Sequence, residues 1–153
     1  MRRQPAKGRR CPSPTDVACA EVQAVYETLA ARPVERSCSG RAECCHFLKT
    51  GRTPLLTRGE ALLAAKALRA GGRRELPART DGACPFLDAG RRCRIYQDRP
   101  FGCRTHFCAE AGGPYARREV LDLIRRLEEI DHKLDGRGPV ALLPAVEAVL
   151  REF

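Results

Sequence analysis

Seven of the chain's nine cysteines fall in two knots. The first, CSGRAECC, carries Cys38, Cys44 and Cys45 and is followed at once by His46. The second, CPFLDAGRRCRIYQDRPFGCRTHFC, places Cys84, Cys93, Cys103 and Cys108, with His106, inside 25 residues. Thiolates are soft donors that suit zinc and iron–sulfur clusters, and each of those centres takes four. The spacings are Cys-x5-Cys-Cys and then Cys-x8-Cys-x9-Cys-x4-Cys. They match neither a ribbon of two Cys-x2-Cys pairs nor a ferredoxin run. Seven thiols and His106 make eight donors, enough for two four-coordinate ions or for one four-iron cluster with thiols to spare. Counting leaves both readings open. Adjacent Cys44 and Cys45 can serve one centre only on irregular backbone, because strand and helix both turn neighbouring side chains apart.

The remaining composition sets the context. The formal charge is +9, and 24 of the 28 basic residues are Arg. Such a balance suits nucleic acid or another anionic partner, so a basic adaptor is one functional class to weigh. The sequence also offers a local use for the charge. Arg41, Arg91, Arg92, Arg94, Arg99 and Arg104 crowd the cysteines. They can offset thiolate charge and donate hydrogen bonds to sulfur. Nucleic-acid binding is therefore not the expectation, and the partner or protein substrate stays unknown. Aromatic residues are only 5% and Trp is absent, so a metal cross-link would support a thin core. No apolar run reaches the length of a membrane span. The Arg-rich start lacks the apolar stretch of a secretory signal. The expected location is cytoplasmic, where clustered cysteines bind metal more often than they form disulfides.

The elements that must position these thiols are mostly helical. Residues 1–12 form a basic tail with Cys11, and 13–153 read as one domain. Ser13-Pro14-Thr15-Asp16 starts a helix over 14–32, with Ala18, Val22, Val25 and Leu29 inward and Cys19 beside them as a core residue. Residues 47–56 read as an irregular or extended connection. Thr57 and Glu60 form a capping box for a helix over 58–70 that stops at Gly71-Gly72. Residues 84–96 read as a β-hairpin that brings Cys84 and Cys93 to one end. Asp98-Arg-Pro100 opens a short helix that must end before Cys108 if Cys103 and Cys108 are to share an ion. A long helix over 116–135 turns Val120, Ile124, Leu127, Ile130 and Leu134 inward, and a last one covers 144–152. His132 reads as a solvated residue on the long helix. The fold class is mainly α, a small α+β domain with one short hairpin beside the cysteines.

The cysteine block resembles a known family, the zinc- or iron-chelating cysteine-cluster proteins called CxxCxxCC or YkgJ-like. Flagellin lysine N-methylases are similar to it. The family pattern is Cys-x2-Cys-x2-Cys-Cys, then Cys-Pro-x-Leu, then Cys-x-Ile-Tyr-x-x-Arg-Pro-x-x-Cys-Arg and a last Cys. Cys84-Pro85-Phe86-Leu87 matches it, as does the run from Cys93 to Arg104, with Cys108 in the final place. Arg41 stands where the family has its second cysteine, and His46 or His106 is the replacement the chain offers. The resemblance implies a metal site of Cys38, Cys44, Cys45, Cys84, Cys93, Cys103 and Cys108 holding zinc or an iron–sulfur cluster. Arg99 and Arg104 would support it and Tyr96 would pack against it. The metal's role would be mainly structural or redox. The methylase similarity implies an enzyme as the alternative, but no nucleotide-binding glycine fingerprint, Ser/His/Asp set or carboxylate pair supports catalysis from the residues themselves.

Overall fold

The computed structural model describes residues 11–38, 40 and 42–153. Most of the basic tail and Arg41 therefore lie outside the described residues. Helix α1 spans Pro14–Ala30 and opens with the expected box, Ser13 and Asp16 capping each other's backbone. Lys66 pairs with the same Asp16 at 2.5 Å, tying the start of α1 to a neighbouring helix. Ala18, Cys19, Val22, Val25, Tyr26 and Leu29 are buried along its inner face.

The first cysteine knot has the irregular backbone its adjacent thiols require. A 3-10 turn covers Glu43–Cys45, preceded by Ala42 in the left-handed region. The four-residue helix α2, Phe47–Thr50, follows. Helix α3, Arg58–Ala70, has the predicted bounds. It packs against α1, against α5 (Leu121–Lys133) and against α6 (Leu142–Leu150). Gly59 makes the crossing close, since a Cβ there would lie 3.0 Å from both Val22 and Ile130. Between α3 and α5, the short helix α4 spans Phe101–Thr105.

Three expectations need correction. The hairpin over 84–96 reduces to one isolated bridge, Leu87 to Cys93. Turns close the rest, with Arg91 at φ 59° and Asp88 accepting from Arg92 N at 2.8 Å. The paired strands lie elsewhere. β1, Leu55–Leu56, pairs antiparallel with β2, Val140–Ala141. Two residues per strand are too few for an alternating pattern to be visible in sequence. Finally, the long C-terminal helix begins as a 3-10 turn over Arg117–Glu119 and becomes α-helical only at Leu121. That phase change buries Leu123 completely and leaves Ile124 and Leu134 half-buried. The last helix starts two residues earlier than expected, at Leu142. No helix among the described residues is long and apolar enough to cross a membrane.

Candidate metal centre

The two knots meet through their backbones. Cys84 N donates to Cys45 O at 2.6 Å, Leu48 N donates to Gly82 O at 3.4 Å, and His46 and Ala83 form a β-bridge. The 43–48 segment is thus stitched to the start of the second knot. Cys38 arrives by another route. Arg36 donates to Gly113 O at 2.9 Å, lies over the Tyr115 ring at 4.3 Å and pairs with Glu119 at 3.6 Å. These contacts hold the 36–38 strap to the chain that follows Cys108.

Helix α4 carries Cys103, and Glu60 fixes its start. The buried Glu60 carboxylate accepts four hydrogen bonds. Oε2 takes Thr57 N and Thr57 Oγ1, each at 2.9 Å; Oε1 takes Tyr26 OH at 3.1 Å and Phe101 N at 2.8 Å. Sequence shows only the cap. The further contacts make this one carboxylate a junction of α1, α3 and α4. Burial raises its pKa, and the four donors offset part of that rise. Arg104 closes the preceding turn by donating to Arg99 O at 2.8 Å and to Gln97 O, while stacking over Tyr26 at 4.1 Å. It therefore clamps backbone.

Five sulfurs surround one cavity of about 940 Å³, those of Cys44, Cys45, Cys84, Cys93 and Cys103; Cys38 also lies on its wall. Every pair among Cys44, Cys84, Cys93 and Cys103 interacts electrostatically. Burial pushes Cys84 up to about 11 and Cys93 and Cys103 upward too, and neighbouring thiolates add to the rise for all three. Cys44 and Cys45 share a hydrogen bond, so Cys44 ionises more readily and Cys45 holds its proton. Arg99 favours the thiolates of Cys44, Cys93 and Cys103. Its guanidinium lies 3.9 Å over Tyr96. Tyr96 is half exposed on the cavity wall, where it carries Arg99.

The remaining candidates stand apart. Cys108 is exposed and off the cavity wall, although α4 does end before it, at Thr105. Cys19 is buried in the core among α1 residues, and all nine cysteines are unpaired thiols. His46 is half-buried and off the wall. His106 is on the wall, with Nδ1 3.2 Å from Arg52 NH1. A guanidinium can only donate, so Nδ1 accepts and the neutral ring carries its proton on Nε2. Burial, then the Arg52 charge, hold its pKa below the usual histidine value. The Nδ1 lone pair is thus engaged by Arg52.

An all-sulfur donor set that loses hydration and repels itself on ionising suits a bound cation, which offsets both costs. Among the described residues, no three His, Cys, Asp or Glu side chains already form the ligand shell of a single ion. Coulomb coupling reaches well beyond a coordination bond of about 2.3 Å. The thiols are neighbours around a space and do not converge on a point.

Residues 37–126 match the model of the CxxCxxCC family, described as a "putative zinc- or iron-chelating domain". No curated protein and no solved structure matches the chain.

Proposed function

The chain belongs to the CxxCxxCC family of zinc- or iron-chelating domains, and on that premise we propose that it holds an iron–sulfur cluster in the cavity between its two cysteine knots. The donors in this reading are Cys44, Cys84, Cys93 and Cys103. Cys45 is the proton-holding partner of Cys44, and Cys38 lies further along the wall. The observation that carries the reading is that thiols of both knots, Cys44 and Cys45 from the first and Cys84, Cys93 and Cys103 from the second, surround a single space. A single zinc ion needs its donors about 2.3 Å from one point, and these thiols surround a space without converging on one. A cluster, which brings bridging sulfide, spans more of the gap between segments. When bound, it would supply one-electron redox chemistry and a cross-link between distant parts of the chain. The protein's own part is to bury the sulfurs, to set Arg99 beside them and to fix α4 through Glu60.

Zinc is the second reading, and the count of four supports it, because closed structural zinc takes four thiolates. Anaerobic purification followed by metal and sulfide analysis with a visible spectrum separates the two. Iron with matching acid-labile sulfide and a brown colour is expected. A colourless protein with one equivalent of zinc and no sulfide would replace the cluster reading. Absence of any bound metal from cells supplied with both would overturn metal chelation by this chain.

A further inference from the structure

The cavity is much larger than a metal centre, and sulfur makes only part of its wall. Pro54, Leu55, Ile124, Leu127, Pro139 and Leu142 give the wall an apolar stretch as well. These come from β1 and its approach, from α5 and from the start of α6. Leu55 is 58% exposed, so this stretch opens to solvent. A volume of about 940 Å³ falls within the range of small-molecule sites, about 300–1,000 Å³.

Charge selects the occupant. Arg52 and Arg117 lie on the wall, and among the described residues neither forms an ion pair with a carboxylate. Three further cavity arginines are committed elsewhere. Arg99 sits over Tyr96, Arg104 clamps backbone carbonyls, and Arg92 is 3.9 Å from Asp88. Two carboxylates share the wall. Glu60 is saturated by four donors, and Glu128 is solvent-exposed. Arg52 also orients His106, whose Nε2–H is left as a second donor in the same region. Tyr115 N donates to Thr105 O at 3.0 Å, which brings the approach to Arg117 alongside the segment leading to His106.

We propose that this part of the cavity wall binds a small organic acid with an apolar body, its carboxylate at Arg52, His106 and Arg117 and its body against α5 and α6. The site needs the cavity and the arginines, not a particular metal. A cationic ligand would meet two unneutralised guanidinium groups, and a small inorganic anion would leave the apolar wall uncovered. The arrangement therefore discriminates by charge and by body together.

Isothermal titration of the purified full chain with decanoate, decyltrimethylammonium and acetate tests this, with metal content measured on each sample. Decanoate is expected to bind at one saturable site. Acetate and the cation should bind at least about tenfold more weakly, in line with one charge-assisted contact. Arg52→Gln and Arg117→Gln should each weaken decanoate about tenfold at unchanged metal content. Arg52 contacts His106 inside the second knot, whereas Arg117 lies outside both knots, so its variant carries the test if Arg52→Gln loses metal. Decanoate that binds a metal-free preparation still supports the site, and the metal reading is judged separately by the metal content of the protein as purified. Equal affinity for the cation, no saturable decanoate binding, or Arg117→Gln binding as tightly as wild type would overturn it.

Discussion

Cys44 combines two properties that rarely coincide in a buried metal site. The residue is exposed, and its hydrogen bond with Cys45 lowers its pKa below the usual thiol value. Without metal it should be the most reactive thiol of the cavity, since the thiolate is the nucleophile. Cys103 is its opposite, held protonated by burial until a cation arrives. The sulfurs can therefore be ranked by substitution. Cys84→Ser, Cys93→Ser and Cys103→Ser should each lose bound metal and lower the melting temperature. Cys19→Ala should keep full metal content, because that thiol sits in the helical core. Cys108→Ser should also keep it, because the residue lies off the cavity wall. Metal analysis of the five proteins checks this, and metal loss from Cys108→Ser would return that residue to the ligand set. Sequence could not make the distinction. Cys108 fills the final place of a family pattern, and only its exposure and its position off the cavity wall set it apart.

At the scale of elements, Glu60 decides how α4 is presented. Glu60→Gln removes acceptor capacity on one side of the group and leaves a backbone N–H of Thr57 or Phe101 facing an amide. A loss of about 1–3 kcal/mol follows from one unsatisfied buried donor, or ~3–10 °C in melting temperature for a chain of this size. The pH dependence has a definite sign. Burial raises the folded-state pKa of Glu60, so the folded chain binds this proton more tightly than the unfolded one. The associated stability is full below the unfolded glutamate value of about 4.3 and is lost as pH rises through the folded value. Glu60→Gln should lack this component, so wild-type stability should fall relative to the variant as pH rises from about 4. Parallel urea melts across pH read it directly; a difference that grows with pH in favour of wild type would contradict it. The helix starts were legible because capping is local: Ser13 with Asp16 and Thr57 with Glu60 need only four residues each. The supposed hairpin was not, because its turn residues fit several loop types and only the contact of Cys84 with Cys45 selects one. The long-range uses of Glu60 and of Asp131, which caps α3 through Arg58 N at 2.7 Å, leave no local mark either.

The whole molecule joins a helical core to a sulfur-lined half. The core centres on α1, α3, α5 and α6, and Phe86, Leu87, Ile95 and Phe101 from the sulfur-lined half are buried in it. That half, residues 36–38, 42–50 and 82–108, is mostly turns and short helices. Metal should therefore matter unequally across the fold. On chelation, amide protection at 43–48 and 82–105 should be lost while α1, α3 and α5 stay protected, as read by hydrogen exchange. Uniform protection after complete metal removal would mean that the sulfur-lined half stands without it. The central claim is that both knots face one centre, and Cys44 is the residue that reports it. Alkylation of the metal-loaded protein with iodoacetamide, mapped by mass spectrometry before and after chelation, measures this in one experiment. The account expects Cys44 to be protected together with Cys84, Cys93 and Cys103 and to become the fastest-labelled thiol of that group once metal is removed. Free labelling of Cys44 in the loaded protein, with the other three still protected, would show that the first knot does not share the centre.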